Sequence, residues 1–214
     1  MLGHAGFGML TGARHCQRQR GVSMIEVAIT MALAAILFFS VAPEVTTMIA
    51  NSRIRSSAES LQQGLQRARN EALRRNQEVT FWLVAPNAAS NLDNTCTLSS
   101  SAGGWVVSIN NPSGKCAAAS TDSVDPMLIE KAVGGTTGSG VAVSALQSDG
   151  TTAATSVVFD GFGRVPTTTA IASIDLDYTN ASNNFRPLRI QVTRGGAVRL
   201  CEPRVTATND PRRC

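Results

Sequence analysis

Residues 20–43 read RGVSMIEVAITMALAAILFFSVAP, and from Val22 to Ala42 the stretch holds one charged side chain, Glu26. Its 21 residues, at about 1.5 Å rise each, reach roughly 30 Å, the thickness of a bilayer's hydrocarbon core. A secretory signal peptide would have a shorter apolar run and a small-residue cleavage site, whereas this run leads straight on into more helical sequence. It reads as a single transmembrane helix. Ahead of it, residues 1–21 carry Arg14, Arg18 and Arg20 and no acid, which anchors that end in the cytoplasm by the positive-inside rule. Glu26 costs on the order of 3 kcal/mol at the centre of a membrane helix unless something compensates it, so it marks a functional position. Pro43 removes one backbone donor and kinks or locally melts a helix.

This combination resembles the class III signal of type IV pilins and type II secretion pseudopilins. The resemblance implies cleavage after Gly21 by a prepilin peptidase, N-methylation of Val22, and Glu26 as fifth residue of the mature chain. It also implies a use for Glu26 in filament assembly, where its carboxylate compensates the N-terminal ammonium of a neighbouring subunit inside an apolar core. Pro43 matches a family proline at the same distance from the cleavage point.

Beyond Pro43, residues Ile54, Ala58, Leu61, Leu65, Ala68 and Ala72 are spaced alternately by four and three, one continuous helical stripe suited to packing on a sheet. Arg53, Arg55, Arg67, Arg69, Arg74 and Arg75 lie mainly off the stripe, with Glu59 and Glu71, and read as a solvated face. The helix is expected to end near Asn76. Strand-like runs follow at Glu78–Ala85, Gly104–Asn110, Met127–Val133, Val141–Leu146, Thr155–Phe159, Ile171–Tyr178, Arg186–Thr193 and Ala197–Cys201, separated by Gly, Ser, Asn and Pro clusters. The predicted class is α+β: a long N-terminal helix on an antiparallel two-sheet β domain. Residues 1–21 would be leader, 22–42 transmembrane segment, 43–76 amphipathic stalk and 77–214 periplasmic domain. Asp160, Gly161 and Gly163 read as a β-turn with glycines at positive φ.

The segment RSSAESLQQGLQRARNEALRRNQEVTF, the pair Gly104–Trp105, FDGFGRV from Phe159 to Val165 and the late GGAVRLCEP together resemble the GspH/FimT branch of the pilin superfamily. The resemblance implies a minor pilin at or near the tip of a type IV pilus or pilus-like filament. The alternative is the H-type minor pseudopilin of a type II secretion machine. Implied partners are prepilin peptidase, other minor and major pilins or pseudopilins, and inner-membrane lipid, with the carboxyl-terminal domain periplasmic until a filament takes up the subunit.

Composition narrows the chemistry. Among 214 residues the only histidines are His4 and His15, so a chain cleaved after Gly21 has none for a nucleophilic triad or a metal site. No cofactor, metal or catalytic set is expected, and a carboxylate enzyme is the remote alternative. Cys16 lies in the leader, and the even set Cys96, Cys116, Cys201 and Cys214 suggests disulfides in an oxidising periplasm. Of three connectivities, Cys96–Cys116 with Cys201–Cys214 is preferred because each closes a short local loop.

Without the leader the chain has 16 basic and 15 acidic side chains, but they are unevenly placed. Residues 76–185 carry net −6, and residues 186–214 carry +5. A basic tail of that kind holds a phosphate backbone without reading sequence. Some FimT-like minor pilins are DNA-uptake receptors with a carboxyl-terminal GRxR motif. The matching positions are Gly196, Ala197, Val198 and Arg199, so the first arginine is replaced and only Arg199 carries over. Arg194, Arg204, Arg212 and Arg213 are its candidate companions for sequence-independent duplex DNA. Solvated arginines, or arginines contacting acidic neighbours, are the plainer reading.

Overall fold

The computed structural model describes residues 21–86, 91–134, 140–179 and 184–214, with backbone alone for 38–43. Residues 1–20, nearly all of the expected leader of residues 1–21, and the side chain of Pro43 lie outside that set. The chain divides into two compact units, Met1–Pro43 and Glu44–Cys214.

The helix α1 (Met24–Arg75) is the one element that belongs to both units. It begins where Ser23 accepts the first intrahelical bond, from the Val27 N–H at 3.1 Å, with Glu26 in the first turn near the positive end of the helix dipole. In the first unit the large apolar side chains from Val22 to Leu37 are exposed. Among the described residues no helix is long and apolar enough to cross a membrane. The apolar run of the sequence continues through 38–43, whose side chains lie outside the described set.

In the second unit the four-and-three stripe is buried throughout: Ile54, Ala58, Leu61, Leu65, Ala68 and Ala72 are fully covered. The helix ends as a Schellman motif, with Asn76 at φ 50° and the Gln77 N–H bonded to the Ala72 carbonyl. Strands follow in the order β1 (Val79–Ala85), β2 (Thr97–Leu98), β3 (Gly104–Ser108), β4 (Leu128–Ala132), β5 (Val141–Leu146), β6 (Ser156–Phe159), β7 (Ser173–Tyr178), β8 (Leu188–Val192) and β9 (Val198–Cys201). One sheet runs β2–β1–β3–β4 with β6 also on β1, and the other runs β5–β7–β8–β9. Every pairing between these strands is antiparallel. The fold is therefore α+β, a helix packed on two antiparallel sheets.

Strand β2 is an addition to the expected set. Its two residues pair with Val84 and Ala85, too short a run to show alternation. One apolar core joins the helix stripe to Phe81, Trp105 and Val107 of the first sheet and Val143, Ile174, Leu176 and Ile190 of the second. Burying a leucine such as Leu61 or Leu65 contributes roughly 1.5–3 kcal/mol before entropy is counted. A smaller cluster on the other face of the first sheet gathers Val84, Leu92, Val106 and Leu128 around Cys96 and Cys116.

Candidate functional site

Gly21 and Val22 precede the first helical turn, and a side chain at Gly21 would meet no atom within 4 Å. Glu26, four residues beyond Val22, is exposed in the first turn of the same helix end.

In the second unit the two late sequence motifs meet on the helix. Gly163 and Gly196 both have positive φ, 71° and 77°, and a Cβ on Gly196 would run into the Gly163 carbonyl. That same carbonyl accepts a bond from Arg69 Nε at 3.2 Å, and the Val165 N–H donates to the Arg194 carbonyl at 2.9 Å. Glycine is required here for conformation and for space. Gly161 corrects the expectation: it is not among the positive-φ glycines. Its constraint is closeness, since a Cβ would lie 2.9 Å from the Asn76 carbonyl carbon. Asp160 turns inward on its own loop, accepting from the N–H groups of Phe162 and Arg164 at 2.9 and 2.8 Å. The Arg164 N–H is the main reason its pKa is lowered.

A second junction lies at Gly64, where a Cβ would stand 2.7 Å from Trp105 Cδ2 and 2.8 Å from Phe81 Cε2. The two rings stack with centroids 6.1 Å apart, and Trp105 Nε1 donates to Ser60 Oγ at 3.1 Å. A glycine inside a helical pattern was the available signal for this close approach.

The arginine face of the helix is not simply solvated. Glu71 is 4% exposed and receives Arg74 at 2.6 Å, Arg75 at 3.0 Å and Arg67 at 3.3 Å. Arg67 continues to Glu130 of β4, and Arg75 to Asp122, so the cluster ties the helix to β4 and the loop before it. Burial pushes the Glu71 carboxyl up, but the bonds from Arg74 and Arg75 outweigh it and leave its pKa below the ordinary value.

The four cysteines of residues 22–214 form the bridges Cys96–Cys116 and Cys201–Cys214, with Cα atoms 6.1 and 5.1 Å apart. Among the described residues no three His, Cys, Asp or Glu side chains are grouped to hold a metal.

Three of the five arginines proposed for DNA are engaged within the chain. Arg199 donates to the carbonyls of Pro211 and Arg213 at 3.0 and 2.6 Å, pinning the tail beside β9. Arg204 donates to the Phe185 carbonyl at 2.8 Å and stands 3.7 Å from Asp177. Arg212 pairs with Asp210 at 2.7 Å, which is why Asp210 is lowered to about 2. Arg194 and Arg213 make no ion pair among the described residues. The charges segregated along the sequence meet in space at two points: the register of β7 on β8 sets Asp175 opposite Arg189, bonded at 2.6 and 3.0 Å, and Asp177 stands by Arg204.

The family model described as type II transport protein GspH matches residues 57–196, well over half of the chain. The chain belongs to the GspH family. A second model, the prokaryotic N-terminal methylation motif, matches residues 16–42. Two crystal structures of the type IV minor pilin FimU from Pseudomonas aeruginosa are similar. One is 16% identical, with a TM-score of 0.43, over 72% of this chain and 99% of that one. The other is 15% identical, with a TM-score of 0.45, over 73% of this chain and 96% of that one. No curated protein matches. The GspH match contains both glycine junctions and the Glu71 cluster, and it stops at Gly196. Arg199, Arg204, Arg212 and Arg213, and the Cys201–Cys214 bridge, lie past its end.

Proposed function

We propose that this GspH-family chain is a minor subunit of a type IV pilus or pilus-like filament, set at or near its tip, and that it acts by assembly. The observation that carries the reading is the order of the two matches: an N-terminal methylation motif at residues 16–42 followed by the GspH region at 57–196. Prepilin peptidase cuts after Gly21, and Val22 is methylated. Residues 22–42 then hold the chain in the inner membrane, and the domain from about residue 77 stands in the periplasm behind the stalk of 43–76. On assembly, Glu26 compensates the N-terminal ammonium of a neighbouring subunit in the apolar filament core, and Pro43 loosens the helix where it leaves that core.

The tests are direct. The intact mass of protein from its native membrane should begin at N-methyl Val22 and rise by four hydrogens on reduction. Gly21→Ala should keep the leader, and normal maturation of that variant would overturn the assignment. Glu26→Ala should be processed and folded but fail to enter filaments. A periplasmic reporter fused after residue 80 should be active.

The second reading is an H-type pseudopilin of a type II secretion filament, favoured by the description of the matching family. Deleting the gene separates the two: loss of surface pili supports the first, and loss of exported folded proteins with pili intact supports the second. Duplex DNA at the tail is the weaker use of Arg194, Arg199, Arg204, Arg212 and Arg213, since the same geometry accounts for three of them as intramolecular contacts.

A further inference from the structure

Opposite its buried stripe, α1 carries exposed apolar side chains at the start of the carboxyl-terminal unit: Val45 at 47%, Met48 at 75% and Ile49 at 47%. One to two turns later the same outward face holds Ser52, Arg55 and Ser56. The polarity of the exposed face thus changes between Ile49 and Ser52. From Glu44 to Ile49 a helix rises by about 8 Å, comparable to the headgroup layer of one leaflet.

Beside the apolar patch lies a cleft of about 500 Å³ whose walls include Glu44, Val45, Met48, Asn51 and Arg186. Its shape is held by the Arg186 N–H, which donates to Asn51 Oδ1 at 2.8 Å. The neighbouring cations Arg55 and Arg212 are taken by Glu59 at 2.8 Å and Asp210 at 2.7 Å. Among the described residues neither Glu44 nor the Arg186 guanidinium has an ion pair, so the cleft presents one open acid and one open base next to an apolar surface.

We propose that this cleft binds the headgroup of a membrane phospholipid carrying both a phosphate and a primary ammonium. The Arg186 guanidinium takes the phosphate and the Glu44 carboxylate takes the ammonium, while Val45, Met48 and Ile49 sit in the interfacial layer against the lipid's glycerol and ester carbons. The inference rests on the reading that residues 22–42 span the membrane. A helix from another subunit would cover the apolar patch but leave Glu44 and Arg186 unanswered, whereas the lipid satisfies all three features together.

The test uses the full processed chain in nanodiscs of phosphatidylcholine alone, or with phosphatidylethanolamine or phosphatidylglycerol added, and counts retained lipid by native mass spectrometry. Phosphatidylethanolamine should be kept about fivefold over the others, as expected for one additional charge-assisted hydrogen bond. Glu44→Gln should remove that preference, and Arg186→Gln should lower retention of all three lipids, each while leaving the thermal midpoint of the domain unchanged. Equal retention of the three lipids overturns the proposal, as does preference for phosphatidylglycerol, survival of the preference in Glu44→Gln, or undiminished retention in Arg186→Gln. A Met48→Cys chain that cross-links to a second copy in the native membrane in place of a lipid probe also overturns it. Failure of the chain to float with vesicles would instead overturn the membrane reading itself, whereas flotation without lipid preference sinks only the headgroup site.

Discussion

The two ends of α1 are made of similar side chains and meet opposite surroundings. From Val22 to Leu37 the valines, isoleucines, leucines and methionines point in every direction and stay exposed within their unit, whereas from Ile54 to Ala72 the apolar residues keep to one stripe and are fully buried. The difference lies in pattern more than composition. A helix apolar all round has no face to give to water and calls for a bilayer or a bundle of its own kind, while a striped helix is completed by the sheets of its own chain.

That contrast is easiest to break in the core. Leu61→Ala or Leu65→Ala should destabilise the domain by about 2–5 kcal/mol in chemical denaturation. Ile29→Ala or Leu33→Ala should leave the domain's denaturation midpoint where it is and weaken membrane retention instead. A domain equally sensitive to both sets would erase the distinction between the two ends. Next in size, Gly196→Ala should cost roughly 2–3 kcal/mol, because it strains a positive φ and drives a methyl into the Gly163 carbonyl. Gly195→Ala, with only Thr193 Oγ1 at 3.8 Å to meet, should be far milder.

Glu71 sharpens the contrast between the buried and solvated faces of the striped half. Its carboxyl titrates below its ordinary value of 4.5 in the folded state, so the unfolded chain binds the proton more readily. Its stabilising contribution is complete above about pH 5 and is lost as pH falls through the lowered folded value. Glu71→Gln should cost about 1–3 kcal/mol at pH 7 and flatten the acid side of the stability curve. Glu59→Gln, whose partner Arg55 is exposed, should change stability by less than about 0.5 kcal/mol. The smallest effect is expected at the tail: Arg199→Ala should cost below about 1 kcal/mol and speed amide exchange at Glu202, whose N–H donates to the Arg212 carbonyl at 2.7 Å.

Most of the fold could be read in advance because alternation and helical spacing are local signals. Val79, Phe81 and Leu83 announced β1, and Ile174 and Leu176 announced β7. Strand β2 could not be read, since two residues carry no period. Glu71 looked like one more charge on a polar face, because nothing local says that three arginines will converge on it and that β4 will close over it. The contacts of the tail arginines were hidden for a related reason: a run of like charge in sequence says nothing about Asp175, Asp177 and Asp210, which register and loop closure bring alongside. The glycine junctions stood between these cases. Gly163 and Gly196 were visible as motifs, but their mutual contact depends on a pairing across 33 positions.

The Cys201–Cys214 bridge encloses Glu202 to Arg213 in a covalent ring, and most of that ring is exposed. A protease that cut once inside it would add a single water to the mass and release nothing. The severed end would stay attached until a reductant freed it, so a nicked chain and an intact one would run as a single species on a non-reducing gel.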